Sequence, residues 1–463
     1  MQTNFTEEQL KLKDNKSSEK IFKKCVHCGM CNTACPTFNL LGDELDGPRG
    51  RIYLIQDMLE NEKKPTANVV KHIDRCLSCY SCMTTCPAEV NYMHLIDHGR
   101  KYIEKNYERP FFDRITRNFL SAVLPNPKLF RLLSFFVKFG KPFKFLFPSK
   151  IKDMMDLIPT FFPKKTLKIK EIYSPRGKKR IARVALLTGC VQKEISPQIN
   201  EATIRILNRH GVEVVVPKKI RCCGSLTHHL GKHDDAHQDF INNINTWYDE
   251  YLKGNLDAIL SNTSGCGTTM KDYGFIFRDD KKMKKKAKKI SELTKDVSEY
   301  LSESLNLKFK NKEKKLRIAY HSACSMQHGQ KVHNQPINLL EKSNNIGEIT
   351  LMTHFSSADD LGSTLTTKQI SNFDNTLHTE KYPGSLANSA AILKWSESHR
   401  EYVRPGIMLY GSSPFSEKTP LKKLTPAMTL SSVLISIKSF KAGQSIGYGC
   451  RYICKKNTLI GVV

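Results

Sequence analysis

The sequence predicts an α/β chain that opens with a separate, mostly helical, cysteine-rich domain. Three observations carry this. Eight cysteines fall in two matching blocks within the first ninety residues. From residue 181 onward, strand-like runs of Val, Ile, Leu and Ala alternate with helical stretches, and each such run closes on a cysteine. Near Leu340–Glu348 the basic excess fades and a different set of motifs begins. With 463 residues, and domains of ~100–200 residues each, two to four domains are expected. The boundaries read as a polar tail 1–19, a cysteine-rich helical domain 20–105, a basic aromatic connector 106–180, an open α/β domain 181–342 and a C-terminal segment 343–463.

Composition excludes several classes. Apolar residues at 40% and charged residues at 25% are globular values, not those of a disordered chain. No apolar run reaches the ~18–20 residues of a membrane-spanning helix. Met1 to Lys20 is polar and lacks the apolar core of a secretory signal. The expected location is therefore the cytoplasm, where fifteen cysteines serve as metal ligands, redox groups or buried thiols rather than disulfides.

The first block reads Cys25-Val-His-Cys28-Gly-Met-Cys31-Asn-Thr-Ala-Cys35-Pro36 and the second Cys76-Leu-Ser-Cys79-Tyr-Ser-Cys82-Met-Thr-Thr-Cys86-Pro87. Both are C-x2-C-x2-C-x3-C-P, the run that holds a [4Fe–4S] cluster in bacterial ferredoxins. Three cysteines at three-residue intervals let one tight loop cap three corners of a cubane. Gly29, Ser78 and Ser81 leave room for the backbone to approach. Where two clusters share a domain, the fourth cysteine of each run serves the other cluster. The expected sets are Cys25, Cys28, Cys31 and Cys86 for one cluster, and Cys76, Cys79, Cys82 and Cys35 for the second. Zinc also takes C-x2-C, but two full copies with a trailing Cys-Pro favour iron. Between the runs, Ile52, Leu54, Ile55, Met58 and Leu59 have helical spacing.

From Lys105 to Arg180 there are 19 Lys/Arg and 5 Asp/Glu, a net +14 and half of the chain's +28. Interleaved are Phe111, Phe112, Phe119, Phe130, Phe135, Phe136, Phe139, Phe143, Phe145, Phe147, Phe161 and Phe162. Such a stretch suits docking on anionic lipid or an acidic partner; the alternative is a wrapped connector packing its own phenylalanines. Pro125, Pro127, Pro142 and Pro148 divide it into short helices. No recognition motif accompanies the charge, so no nucleic-acid partner is expected. The lysine-rich run 281–289 reads as a solvated helix face.

Next come strand-like segments 181–187, 212–216, 256–260 and 316–320, which imply an open α/β sheet. They run into Cys190, Cys222-Cys223-Gly224, Ser264-Gly265-Cys266-Gly267 and His321-Ser-Ala-Cys324. Cysteines after the carboxyl ends of strands sit where such sheets place ligands. Cys190, Cys222, Cys223 and Cys266 are candidates for a further iron–sulfur centre, with inert buried thiols as the alternative.

Two cluster runs followed by these motifs, with Tyr320-His321-Ser-Ala-Cys324 and His328-Gly329-Gln330 after them, resemble the iron–sulfur subunit of glycolate oxidase over about residues 15–342. The resemblance implies an electron-transfer subunit that takes electrons from FAD-containing subunits oxidising glycolate to glyoxylate and passes them toward a quinone-type acceptor. A peripheral position on the inner face of the plasma membrane is compatible with it. Related lactate, glycerol-3-phosphate and heterodisulfide redox proteins share the plan. No G-x-G-x-x-G follows a strand, so the flavin chemistry belongs to a partner and this chain alone is not catalytic. These families often carry a terminal C-x-x-C where this chain has Thr263-Ser-Gly-Cys266, and a second Cys-Cys-Gly module. Here no cysteine follows Cys324 until Cys450.

The C-terminal segment carries Met352-Thr-His354-Phe355, Ser385-Leu-Ala-Asn388-Ser389-Ala390, Val403-Arg404-Pro405-Gly406 and Gly447-Tyr448-Gly449. In this order they resemble alanine racemase, a pyridoxal-phosphate family, over 349–463. That implies the last part of a (β/α)8 barrel and the opening strands of a β domain. It implies Ser389 at the cofactor phosphate, Arg404 at the pyridine nitrogen, and Tyr448 as a catalytic base in a neighbouring subunit's site. The family's Schiff-base lysine lies in a Lys-Ala-Asn-Ala-Tyr-Gly stretch that this sequence lacks. The expectation is a fusion whose tail holds no pyridoxal phosphate and whose Ser389, Arg404 and Tyr448 are vestigial.

Overall fold

The computed structural model describes residues 1–146, 152, 155–156, 158, 170–175, 177, 179–309, 320–343, 350–362, 364–375, 382–415, 424–427, 436–446 and 452–462. Two compact units result, Met1–Gly347 and Glu348–Val463.

The first unit begins as a helical domain. Helices Lys13–Lys24, Pro48–Glu60, Ala67–Asp74 and Tyr92–Asn106 surround a core of Phe22, Ile55, Ile73, Leu95, Ile96 and Ile103, all fully buried. The apolar spacing read between the cysteine runs becomes the helix Pro48–Glu60, which starts on a proline whose missing N–H costs nothing at that position. Gly99 lets the helix Tyr92–Asn106 press onto it: a Cβ there would stand 2.9 Å from the Ile55 side chain.

The connector forms two helices, Phe111–Val123 and Pro127–Gly140, followed by a 3-10 turn. Asn126 caps the second by accepting from the Lys128 and Leu129 amides. Phe130 is buried, whereas Phe112 is 81% exposed and Phe135, Phe136, Phe139 and Phe143 also face outward. The wrapped-connector alternative therefore fails for these phenylalanines. Phe147, Phe161 and Phe162 lie outside the described residues, as does the Phe145 side chain.

A five-stranded sheet follows in the order β1-β3-β2-β4-β5, from Ile172–Tyr173 (β1), Ala182–Leu187 (β2), Val212–Val215 (β3), Ala258–Ser261 (β4) and Thr294–Asp296 (β5). β2, β3, β4 and β5 pair in parallel, and β1 is an antiparallel edge. Alternation along β2 sends Ala185 and Leu187 to one face and Val184 and Leu186 to the other, and both faces are buried. Helices Pro197–Arg209 and Val297–Glu303 cover one side. Helices His233–Gly254, Ser264–Ile276 and Lys284–Leu293 cover the other, with Trp247, Phe240 and Tyr273 as the heaviest packing. The result is the three-layer open sheet expected from alternating strands and helices. The strand expected at 316–320 falls largely on residues 310–319, outside the described set. The lysine-rich run places Lys284, Lys285 and Lys288 on the exposed side of its helix, while Ala287 and Ile290 pack inward.

In the second unit, parallel strands Leu351–Met352 (β6) and Gly384–Ser385 (β7) pack with helices Leu365–Asp374 and Ser389–Lys394 around Phe355, Ile370, Leu386 and Phe415. The pairing of Ser436–Phe440 with Thr458–Val462 forms a separate antiparallel ribbon. Among the described residues, no helix is long and apolar enough to cross a membrane.

Candidate metal centres

The two cysteine runs fold alike. Shifting the first by 51 positions lays Cys25 on Cys76, His27 on Ser78 and Gly29 on Tyr80. The backbone repeats with it: φ is 58° at His27 and 51° at Ser78, 82° at Gly29 and 60° at Tyr80. Left-handed residues on either side of the second cysteine curl each run into a tight loop. Three of these four positions are not glycine, so surrounding structure sustains a costly conformation where a site is built. At Gly29 the Arg49 guanidinium lies over the loop, its Nη1 2.3 Å from where a Cβ would stand, so a side chain there would displace it.

Each run then enters a short helical turn, Met30–Ala34 carrying Cys31 and Ser81–Thr85 carrying Cys82. One cavity is lined by Cys25, Cys28, Cys31 and Cys86, with Val26, Ile52 and Pro87 among its walls. A second is lined by Cys35, Cys76, Cys79 and Cys82, with Pro36, Arg51 and Tyr80. Cys82 also reaches the first cavity. Burial and the neighbouring Cys25 and Cys86 push the Cys31 thiol up to about 11, and burial with Cys76 raises Cys82. Convergent soft thiols in dry walls are a donor set that fits an iron–sulfur cluster.

Around the second cavity lies a polar shell that sequence reasoning missed. Arg51 is 1% exposed. It donates through Nε to the His72 carbonyl at 2.7 Å, through both terminal nitrogens to Thr37 Oγ1 at 3.1 Å, and through Nη1 to Cys35 Sγ at 3.9 Å. Asp46, wholly buried, balances it together with His72 at 3.0 Å and Arg75 at 2.8 Å. Tyr92 donates its hydroxyl to Cys76 Sγ at 3.6 Å, and Arg100 holds the second loop through the Cys76 carbonyl at 2.7 Å. The available signal was arginine among Gly47-Pro-Arg-Gly-Arg51, ahead of an apolar helix.

The third group assembles at the carboxyl edge of the sheet. Cys190 follows β2, Cys222 and Cys223 follow β3, and Cys266 lies in the first turn of the helix after β4. Cys222 and Cys190 have sulfurs 3.6 Å apart; against the pull of Cys222, the neighbouring Cys266 thiol and burial raise Cys223. Gly224, at φ 76°, turns the chain over Phe240, whose ring would lie 2.3 Å from a Cβ. The hydrogen bond with Cys222, then burial, raises the Cys190 thiol.

Cys324 is exposed, in a turn that bridges the cysteine-rich parts. His328 Nδ1 lies 2.8 Å from Thr84 Oγ1 in the second run. Gln330 donates to the Ser264 carbonyl at 2.8 Å, and Thr268 to the Ser325 carbonyl at 3.1 Å, both beside Cys266.

In the second unit, Ser389 Oγ accepts from the Gly406 amide at 2.7 Å. Arg404 donates to the carbonyls of Ser385 and Thr353 at 2.7 and 2.6 Å. Both sit near the β6·β7 pair; Tyr448 lies outside the described residues.

Comparison with known proteins gives three family matches in chain order, the last of them beginning inside the first unit. The 4Fe-4S dicluster domain family matches residues 21–90, the cysteine-rich domain family residues 184–271, and the alanine racemase N-terminal domain family residues 305–414. The glycolate oxidase iron-sulfur subunit of Escherichia coli (strain K12) is 38% identical over 335 residues, 72% of this chain and 78% of that protein. The probable glycolate oxidase iron-sulfur subunit of Bacillus subtilis (strain 168) is 26% identical over 357 residues, covering 73% and 79%. The alanine racemase of Azoarcus sp. (strain BH72) is 43% identical over 124 residues, 27% of this chain and 35% of that enzyme. The chain thus spans about a third of the racemase it matches.

Proposed function

The chain belongs to the family of glycolate oxidase iron–sulfur subunits, and from that premise we propose that residues 1–347 carry electrons away from a flavoprotein that oxidises glycolate to glyoxylate. It is an oxidoreductase component with iron–sulfur clusters as cofactors. The observation that carries the reading is the pair of cavities, each of which gathers the first three cysteines of one run with the fourth of the other, Cys82 also reaching the first.

In this reading Cys25, Cys28, Cys31 and Cys86 hold one [4Fe–4S] cluster, and Cys76, Cys79, Cys82 and Cys35 the second. Cys190, Cys222, Cys223 and Cys266 hold a further centre. Bound clusters supply one-electron carriers. The protein supplies the rest: thiolates fix the sites, Ile52 and Tyr92 help exclude water, and Arg51 sets a buried positive charge beside Cys35. The flavoprotein is the electron source, since no flavin or nicotinamide motif is present in this sequence. The outward phenylalanines of Phe111–Val123 and Pro127–Gly140, in a net-basic connector, support a peripheral seat on an anionic membrane.

The tail reads as a piece of a racemase barrel. Parallel pairing of β6 and β7 and the placing of Ser389 and Arg404 support that reading. Arg404 already spends its donors on backbone carbonyls, and the Schiff-base stretch is missing from the sequence.

Anaerobic purification tests the main reading. The expected product is brown, holds at least about eight irons per chain and shows two reduced [4Fe–4S] signals by electron paramagnetic resonance. It is reduced by a glycolate-oxidising flavoprotein. Zinc in place of iron overturns it.

A further inference from the structure

Where the helix Tyr92–Asn106 meets the short helix Ser225–His229, one buried carboxylate faces two imidazoles. Asp97 is 5% exposed. Its Oδ1 lies 2.8 Å from His229 Nδ1, and its Oδ2 lies 3.6 Å from His228 Nε2. The His229 side chain is 24% exposed and that of His228 only 7%, so the set runs from solvent inward. His228 stacks on His233 with ring centroids 4.0 Å apart. His228 Nδ1 and His233 Nε2 are buried and have no hydrogen-bond partner among the described residues. On the other side, Arg100 Nη1 stands 4.0 Å from Asp97 Oδ1. The same guanidinium donates to Ser78 Oγ at 2.8 Å and to the Cys76 carbonyl at 2.7 Å. Tyr80, a buried wall of the second cavity, also feels Asp97 and Arg100. Asp97 therefore joins a histidine open to solvent to the loop of the second run.

We propose that His228, Asp97 and His229 form a proton-uptake site coupled to the second cluster, with one proton resting on His228 against Asp97 on reduction of that cluster. The inference rests on the electron-transfer reading and adds a proton to it. Charge counting carries the argument. Asp97 already has Arg100 as a counter-charge. A protonated His228 is then a surplus cation in a buried place, which burial and Arg100 both oppose. An electron on the neighbouring cluster supplies the missing negative charge, and the imidazolium pairs with Asp97. Burial, then His228 itself, pushes the stacked His233 down to about 2. Burial and His228 also lower His237, so neither competes for the proton. Lys101 further opposes positive charge on both, and is itself paired with Asp14 at 2.7 Å. The balance is one electron from the flavoprotein and one proton from solvent. One N–H bond forms at His228, and no bond in the protein breaks.

The test uses the full-length, cluster-loaded protein. Redox titration followed by electron paramagnetic resonance gives each cluster's midpoint potential between about pH 5 and about pH 8, where imidazoles titrate. Linkage makes the effect reciprocal: if reduction raises the proton affinity, the midpoint must fall as the pH rises. In the wild type the second cluster's midpoint should fall in this way. The slope should report a proton affinity about fivefold or more higher in the reduced state, and the first cluster should respond less. His228→Gln, which keeps a donor toward Asp97, should flatten the second curve at unchanged iron content. If that variant loses iron, Asp97→Asn takes its place: with the shape kept and the carboxylate charge gone, the slope should also be lost. A second cluster that is indifferent to pH in the wild type overturns the proposal, and so does a slope that persists in these variants. Clusters that the flavoprotein reduces without any such pH dependence leave the electron-transfer reading standing. Clusters that the flavoprotein cannot reduce defeat that reading, and the proposal with it.

Discussion

Arg51 puts a guanidinium nitrogen 3.9 Å from the sulfur of Cys35 while only 1% of its surface meets solvent. A buried cation beside a ligand sulfur favours the more negative, reduced state of whatever the sulfur binds. Arg51→Met should therefore lower the midpoint potential of the second cluster and leave the first nearly unchanged. Redox titration followed by electron paramagnetic resonance reads this directly. The same change leaves Asp46 with His72 and Arg75 only, so a stability loss of about 1–3 kcal/mol is expected from denaturant unfolding.

The proposed crossing of ligands between the runs makes a second prediction. Cys35 belongs to the first run by sequence but lines the cavity of the second. Cys35→Ser should reduce the iron held by the two runs from about eight atoms toward about four. The surviving resonance should be that of the cluster capped by Cys25, Cys28 and Cys31. Loss of the first run's signal instead would refute the assignment.

Much of this site was legible because its chemistry is local. Cysteine spacing fixes which atoms can meet at one loop, and the 51-residue repeat shows in the sequence before it shows in φ. The strands ahead of Cys190, Cys222 and Cys266 were also legible, as short apolar runs alternating with longer helical stretches. What escaped depends on distant pairing. Arg51 owes its burial to Asp46, Thr37 and His72, and no window of sequence holds all of them. The strand Thr294–Asp296 has two polar ends and three residues, too short and too polar for periodicity to show. Likewise, nothing in His328-Gly329-Gln330 shows that it joins Thr84 to Ser264.

A pH dependence follows from His98. Burial, together with Lys101 and Arg278 and against the pull of Asp14, lowers its pKa from 6.5 to about 4. Its Nδ1 lies 2.7 Å from Ser18 Oγ, joining two helices of the cluster domain. Below about pH 6.5 the unfolded chain takes up a proton there, and the folded chain does not until about pH 4. The contribution is thus complete above pH 6.5 and is lost as the pH falls through that window. Urea midpoints at about pH 7 and about pH 5 should differ less in His98→Gln than in wild type.

The tail makes a negative prediction. A racemase-type site needs a lysine amine to carry the cofactor as an imine, and the family's lysine stretch is missing from this sequence. Full-length protein mixed with pyridoxal phosphate should show no band near ~420 nm that survives gel filtration and disappears with borohydride. It should not interconvert the alanine enantiomers. A stable, borohydride-sensitive adduct would falsify this.

The connector is the last case, and the structure changes how it is best tested. Charge reversal at Lys138, Lys141 and Lys144 looks like the natural probe. However, Lys141 donates to the Ile158 carbonyl and Lys144 pairs with Asp156 at 3.0 Å. Reversing those charges disturbs the local fold as well as any membrane contact. Phe135, Phe136 and Phe139 have no such duty: they are 56–61% exposed and touch mainly one another, edge to face. Exposed aromatic clusters on a basic helix gain free energy by entering the headgroup region of an anionic bilayer, at about 25 cal/mol per Å² of apolar surface removed from water. Replacing all three with Ser should abolish flotation with phosphatidylglycerol vesicles, while iron content and thermal midpoint hold. Binding by the unaltered protein should also weaken as salt rises, because lysines supply the long-range part of the attraction. Flotation that survives the triple change would move the contact surface to the neighbouring helix, where Phe111 and Phe112 also stand exposed. Flotation that fails for the unaltered protein would leave the phenylalanines to a protein partner, and the flavoprotein is then the one to test by pull-down.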